Sequence, residues 1–194
     1  MYEGNYISNP IDEEVIATND IYISAANGNL HNAKTLESAE NITLIAGDGL
    51  DDFAFNIFAG KDITLTATSG DVVNTSVLES YAGNVKLIAE NGSVTNGIYG
   101  TDTTGDIIAL GGSVTLEAKG NVINDLGHVY NYGDIIAIGD AVNDQVGSGS
   151  ITLKSHYGNV NNYDDFNVAS GYEIYSYDDA RFNLEFLNLQ IQDR

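Results

Sequence analysis

Carboxylates are the residues of this chain best suited to chemistry. Adjacent acids stand at Glu13-Glu14, Asp51-Asp52, Asp164-Asp165 and Asp178-Asp179. Two carboxyl groups held about one bond can cleave a glycoside, one as acid and the other as base or nucleophile. Neighbours along a strand point to opposite faces, so a working pair has to be assembled from different turns of the chain. Solvated loop charge is therefore the preferred reading of these pairs. Oxygen ligation of calcium is another use, with Asp48, Asp51 and Asp52, or Asp140 and Asp144, joining backbone carbonyls around the ion. None of them falls in a recognised calcium-loop pattern, so no cofactor is expected; calcium is the alternative, with Asp140 and Asp144 as the candidate metal ligands. His31, His128 and His156 lack HxH or HExxH spacing, which argues against a histidine metal site. There is no G-x-S-x-G elbow and no Gly-rich loop ending in Lys and Ser/Thr, so no residue is assigned as catalytic.

Aromatic residues form the second group. Between Tyr157 and Phe186 the chain carries Tyr163, Phe166, Tyr172, Tyr175, Tyr177 and Phe182 among Asp164, Asp165, Asp178 and Asp179. Rings stack on sugar faces while acids bind hydroxyls. This makes Tyr172, Tyr175, Tyr177, Asp178 and Asp179 the candidate ligand-binding residues. The plainer reading, preferred here, is that these rings cover an open edge of the fold. Lys61, Lys86, Lys119 and Lys154 recur near one strand type and read as solubilising charge that locally offsets the acids.

What positions these residues is a repeat. Ile21 to Ala25, Ile42 to Ala46, Ile63 to Ala67, Val85 to Ala89, Val114 to Ala118 and Ile151 to Ser155 all read apolar, variable, apolar, variable, small, with starts 21, 21, 22, 29 and 37 residues apart. The period of two marks a strand with one buried face. A second signature follows: Gly28 to Asn32, Gly70 to Asn74, Gly92 to Asn96, Gly120 to Asn124 and Gly158 to Asn162. Glycine and asparagine suit corners there. The second copy departs, with Leu50 followed by Asp51, Asp52 and Phe53. A looser third segment appears at Thr35 to Ala39, Ser76 to Ser80, Asp106 to Leu110 and Asp134 to Ile138.

Three short strands and three turns in a coil of about 21 residues predict an all-β fold, a right-handed parallel β-helix whose coils stack about 4.8 Å apart. Equivalent positions then stack, and Asn32, Asn74, Asn96, Asn124 and Asn161 are the expected amide ladder. The expected organisation is an N-terminal flanking coil or cap over 1–18, repeats over 19–162, and a Tyr-rich C-terminal coil or edge cover over 163–194. Ile98 to Thr104 and Asp140 to Gly149 break the period and are expected surface insertions, where binding surfaces are commonly built.

The 194 residues include 28 Asp and Glu against 7 Lys and Arg, for a formal charge of −21, which repels phosphate backbones and excludes nucleic acid as an expected partner. A hydrophobic share of 43% is enough to build a core, so the chain is expected to fold. No apolar run reaches the roughly 20 residues of a membrane helix, and residues 1–19 lack the pattern of a signal peptide, so no membrane insertion is expected. With no Cys there is neither a disulfide nor thiolate chemistry.

The units Asp62 to Asn74 and Ser113 to Asn124 resemble repeats of filamentous haemagglutinin-type exoproteins, which are bacterial two-partner-secretion passengers. The resemblance spans roughly Asn19 to Asn162 and lies in the scaffold. It implies a β-helical shaft, export through an outer-membrane β-barrel transporter, and a secreted or cell-surface place in adhesion or virulence. The family's N-terminal secretion domain is not recognisable, since Asn9-Pro10 stands alone. The expected function is a non-enzymatic shaft or binding segment of a haemagglutinin-like adhesin that meets a host surface or glycan through irregular loops. The alternative is a polysaccharide lyase or glycoside hydrolase built on a β-helix.

Overall fold

Each apolar-variable-apolar-variable-small segment forms a five-residue strand, and these strands pair in parallel in the order in which they occur. The computed structural model describes residues 2–4, 14–52, 56–97, 105–120, 128–132, 135–137, 139–140, 145–146, 149–162, 166–168, 172–176 and 183–184. Sheet A, of eight strands, runs Tyr2–Gly4, Ile21–Ala25, Ile42–Ala46, Ile63–Ala67, Val85–Ala89, Val114–Ala118, Ile151–Ser155 and Tyr172–Ser176. Sheet B, of seven, runs Leu30–Asn32, Leu50–Asp52, Val72–Asn74, Val94–Asn96, Val129–Asn131, Val160–Asn162 and Asn183–Leu184. Sheet C, also of seven, runs Val15–Ala17, Leu36–Ser38, Ile57–Ala59, Leu78–Ser80, Ile107–Ala109, Ile135–Ala137 and Phe166–Val168. The chain visits C, A and B in turn, so the fold is a parallel β-solenoid with three strands per coil.

Register does the stacking. Ile21, Ile42, Ile63, Val85, Val114 and Ile151 pair in one column, and Ala25, Ala46, Ala67, Ala89, Ala118 and Ser155 in another. Both columns are buried, as are those beginning at Ile23, Leu30 and Leu36. The Ala column is narrow because the chain turns toward sheet B immediately afterwards, leaving no volume for a longer side chain. Backbone bonds continue the pairing into the corners: Ile21 N–H donates to Asn41 O at 2.8 Å, and Ile42 N–H to Asp62 O at 2.9 Å. Eight strands at about 4.8 Å make sheet A roughly 34 Å tall along the axis.

One sequence expectation is changed, and two features are added to the others. The sheet B position after Val114–Ala118 is filled by Val129–Asn131, in register with Val94–Asn96, and not by the Val122-Ile123-Asn124 segment, which lies outside the described residues. A third strand also exists in the coil whose second signature departs: Ile57–Ala59 pairs with Leu36–Ser38 and Leu78–Ser80. Finally, strands in both flanks join the ladders, Tyr2–Gly4 and Val15–Ala17 before residue 19, and Phe166–Val168, Tyr172–Ser176 and Asn183–Leu184 after residue 162. Within the expected insertion at Asp140 to Gly149, Gly139–Asp140 pairs antiparallel with Gln145–Val146.

Because every inward side chain is packed between its counterparts above and below, truncating one in mid-stack leaves a hole that neighbours cannot fill. Leu65 is fully buried, so Leu65→Ala is expected to cost about 2–5 kcal/mol. Ile16, 66% exposed on sheet C, should lose no more than about 0.5 kcal/mol on the same change. Urea midpoints of the two variants check the contrast.

Candidate functional site

The polar chemistry of this fold is arranged in vertical rows. Inside, Asn74 Nδ2 donates to Asn96 Oδ1 at 2.7 Å, Asn96 Nδ2 to Asn131 Oδ1 at 2.8 Å, and Asn131 Nδ2 to Asn162 Oδ1 at 2.7 Å. All four are buried. The ladder therefore runs through Asn131 and Asn162, and one expected member, Asn161, is displaced by its neighbour. Asn124 lies outside the described residues, and Asn161 pairs one place off, with Tyr130. Asn32 joins the column by register through Asp52, which takes the ladder position between Asn32 and Asn74. Gly97, which follows Asn96 with φ 80°, makes the turn that a β-carbon would strain. Gly105 is packed so closely that a β-carbon would lie 2.7 Å from Asn96 Oδ1.

Two more rows line the corners. Before sheet A, Asp20 Oδ1 accepts from Asn41 N–H, Asn41 Oδ1 from Asp62 N–H, Asp62 Oδ1 from Asn84 N–H, Asn84 Oδ1 from Ser113 N–H, and Ser113 Oγ from Ser150 N–H. The bonds from Asn41 hold the Asp20 carboxyl below its usual range. Before sheet B, Asp71 Oδ1 accepts from Ser93 N–H, Ser93 Oγ from His128 N–H, and His128 Nδ1 from Asn159 N–H. His128 is thus a corner acceptor. These side chains give backbone donors at the bends the partners that a strand would have supplied.

Charge pairs also cross from coil to coil. Lys61 bridges Glu40, Lys119 bridges Glu90 at 2.8 Å, and Lys154 bridges Glu117 at 3.0 Å. His156 Nε2 donates to the same Glu117 oxygen at 2.7 Å. Burial pushes the Glu117 carboxyl up, but the hydrogen bonds from His156 and Lys154 outweigh it and hold the group below the ordinary glutamate value. Hydrogen bonding to Glu40 raises the Lys61 amine, and Glu90 does the same for Lys119. Three of the four lysines singled out in the sequence are therefore coil-to-coil ties.

An open depression of about 230 Å³ lies on the outer face of sheet C. Register puts Glu37, Phe58 and Glu79 in successive coils of one outward column along it. Tyr81, 63% exposed, also lines it, with buried Ser38 and Ala59 beneath. A second aromatic row stands on sheet B, where His128 and Tyr130 have ring centroids 5.7 Å apart, and Tyr130 and Tyr132 are parallel to within 3° at 6.4 Å. Neither group was singled out from the sequence. For Glu37, Phe58, Glu79 and Tyr130 the signal is the middle position of a three-residue strand, which becomes readable once the register is known.

Tyr172 and Tyr175 pair in sheet A with Ile151 and Lys154, while Tyr177, Asp178 and Asp179 lie outside the described residues. Asp140 pairs with Gln145 in the small antiparallel ribbon, and Asp144 lies outside the described residues. Asp51 and Asp52 alternate along one sheet B strand, in register with His31 and Asn32. Glu13, Asp164 and Asp165 are outside the described residues. Among the described residues there is no group of three or more His, Cys, Asp or Glu that could hold a metal ion.

No family model matches the chain, and no curated protein and no solved structure matches it either.

Two outcomes follow from these rows. Asn96→Ala strands one N–H of the Asn74 side-chain amide, whose nitrogen keeps its bond to Ser76 O, and the Asn131 side-chain carbonyl in the interior, and should cost about 2–5 kcal/mol in urea unfolding, whereas the same change at exposed Asn91 should cost under about 1. For Glu117 the folded value is depressed, so the unfolded chain takes the proton more readily. Its contribution is complete above the ordinary glutamate value and fades as pH falls from there toward the depressed one. Glu117→Gln should lower stability near neutrality and flatten its acid limb in that window, as read from urea midpoints measured across it.

Proposed function

We propose that this chain is a non-enzymatic shaft segment of a bacterial secreted or surface adhesin of the filamentous haemagglutinin type, presenting host or glycan ligands on its outer columns and irregular segments. The observation that carries this reading is the uninterrupted run of parallel, in-register coils with hydrogen-bonded rows at the interior and at the corners. Such a stack resists bending and compression, because every coil is tied to the next in three sheets, and it holds whatever lies on its surface at a fixed height.

The same architecture suits export as an unfolded chain through an outer-membrane β-barrel transporter. Each coil needs only its predecessor as a template, so folding can propagate from one end as residues emerge. Without Cys, no oxidative step is required along that route.

The expected outcome with acidic polysaccharides is no rise in unsaturated-product absorbance, and with neutral glycans no release of reducing ends. Turnover in either assay overturns the shaft reading in favour of a lyase or hydrolase. On a glycan array, binding that weakens in Tyr172, Tyr175 and Tyr177 variants assigns the ligand to that segment. Unchanged binding removes those tyrosines from the proposal.

A further inference from the structure

We infer that the outer face of sheet C docks an arginine side chain of a basic polypeptide partner, its guanidinium lying on the Phe58 ring between the Glu37 and Glu79 carboxylates. This goes beyond the shaft reading and does not depend on it. The pairing Glu37 to Phe58 to Glu79 places one ring between two acids in successive coils, along a depression that Tyr81 also lines. Strands are about 4.8 Å apart, so the two acids are based roughly 10 Å from each other with the ring at the midpoint.

That spacing selects the ligand. A single metal ion needs its oxygens within about 2.6 Å, so two carboxylates on either side of a phenyl ring suit it poorly. A planar cation fits all three groups: its face meets the ring's negative quadrupole, and its N–H edges reach carboxylate oxygens on both sides. Guanidinium is flat and weakly hydrated, whereas ammonium is a compact and strongly hydrated point charge, which favours arginine over lysine.

Glu37 and Glu79 also differ from Glu40, Glu90 and Glu117, each of which has a cation from a neighbouring coil. Neither Glu37 nor Glu79 has an ion pair or hydrogen bond among the described residues, although both line the depression. With 28 acids against 7 Lys and Arg, the chain supplies few cations of its own, and the charge complementary to this face comes from a partner.

The test is calorimetric titration of the full chain with the capped peptide Gly-Arg-Arg-Gly, alongside its lysine and citrulline counterparts. Saturable binding is expected, about tenfold weaker in Glu37→Gln/Glu79→Gln and changed less than about twofold in the charge-matched Glu14→Gln/Asp48→Asn, two exposed acids outside the depression. Phe58→Leu, which keeps an apolar side chain but removes the ring, should weaken binding by about threefold or more. The lysine peptide should bind less tightly than the arginine peptide, and the citrulline peptide should not bind. Unchanged circular dichroism and urea midpoints establish that the variants are folded. Equal weakening in the control pair would show attraction to the net charge alone and overturn the site. So would full binding to Phe58→Leu, binding of the citrulline peptide, lysine binding as tight as arginine, or no binding at all.

Discussion

Everything in this molecule depends on strands pairing in parallel with their own equivalents one coil away, without slippage. A shift of one residue in any sheet would turn its buried column outward and expose a row of aliphatic side chains. The penalty for such a shift is written three times per coil, in the Ile-Leu-Ala columns of sheet A and in the inward positions of sheets B and C. Register is then set redundantly, and the asparagine ladder adds a directional element. An amide that donates upward and accepts from below is fully satisfied only when asparagine meets asparagine at the same height.

In-register stacking has an electrostatic consequence that is severe for a chain of charge −21. Identical residues in neighbouring coils would place carboxylates about 5 Å apart in long files. The outward columns avoid this. Phe58 separates Glu37 from Glu79, and among the described residues no outward strand position holds acids in two adjacent coils. At the corner before sheet A, Asp20, Asn41, Asp62 and Asn84 alternate charged and neutral members while keeping the same acceptor role. Elsewhere the acid's neighbour is a cation, as for Glu40, Glu90 and Glu117. The acidity of the chain is thus spread around the stack and interleaved along it, which permits solubility without repulsion between coils.

The parts of this fold readable in the sequence were those where one residue type recurs for one physical reason. The Ala column and the β-branched first position of sheet A are of this kind, because shape alone decides them. Ladder membership was harder to read. Val122-Ile123-Asn124 and Val129-Tyr130-Asn131 carry the same apolar, variable, Asn pattern, and only the pairing of Val129–Asn131 with Val94–Asn96 separates them. Asn161 and Asn162 differ by one place, and period-two alternation decides the question in favour of Asn162. The corner rows were invisible for the opposite reason: Asp, Asn, Ser and His look unrelated as letters but do one job, accepting a bond from the next coil's backbone. The sheet C depression depended on Ile57–Ala59, a strand hidden behind the irregular Asp51-Asp52-Phe53 segment.

Inside and outside are under different constraints in such a stack, and this is where its capacity for function lies. An inward position answers to its neighbours above and below, so its residue type is nearly fixed by packing. The residue next to it on the strand points to solvent and answers to nothing in the fold except charge spacing. The sequence of Ile16, Glu37, Phe58, Glu79, Ile108 and Ile136 up sheet C shows that freedom, since the chemistry changes at four of its five steps while the buried residues flanking them repeat. A surface composed this way can acquire a binding row at any height by changing middle residues alone, without touching the columns that hold the coils together. Recognition on this scaffold is then a matter of which side chains occur at successive coil heights, and a partner is read along the axis in steps of about 4.8 Å.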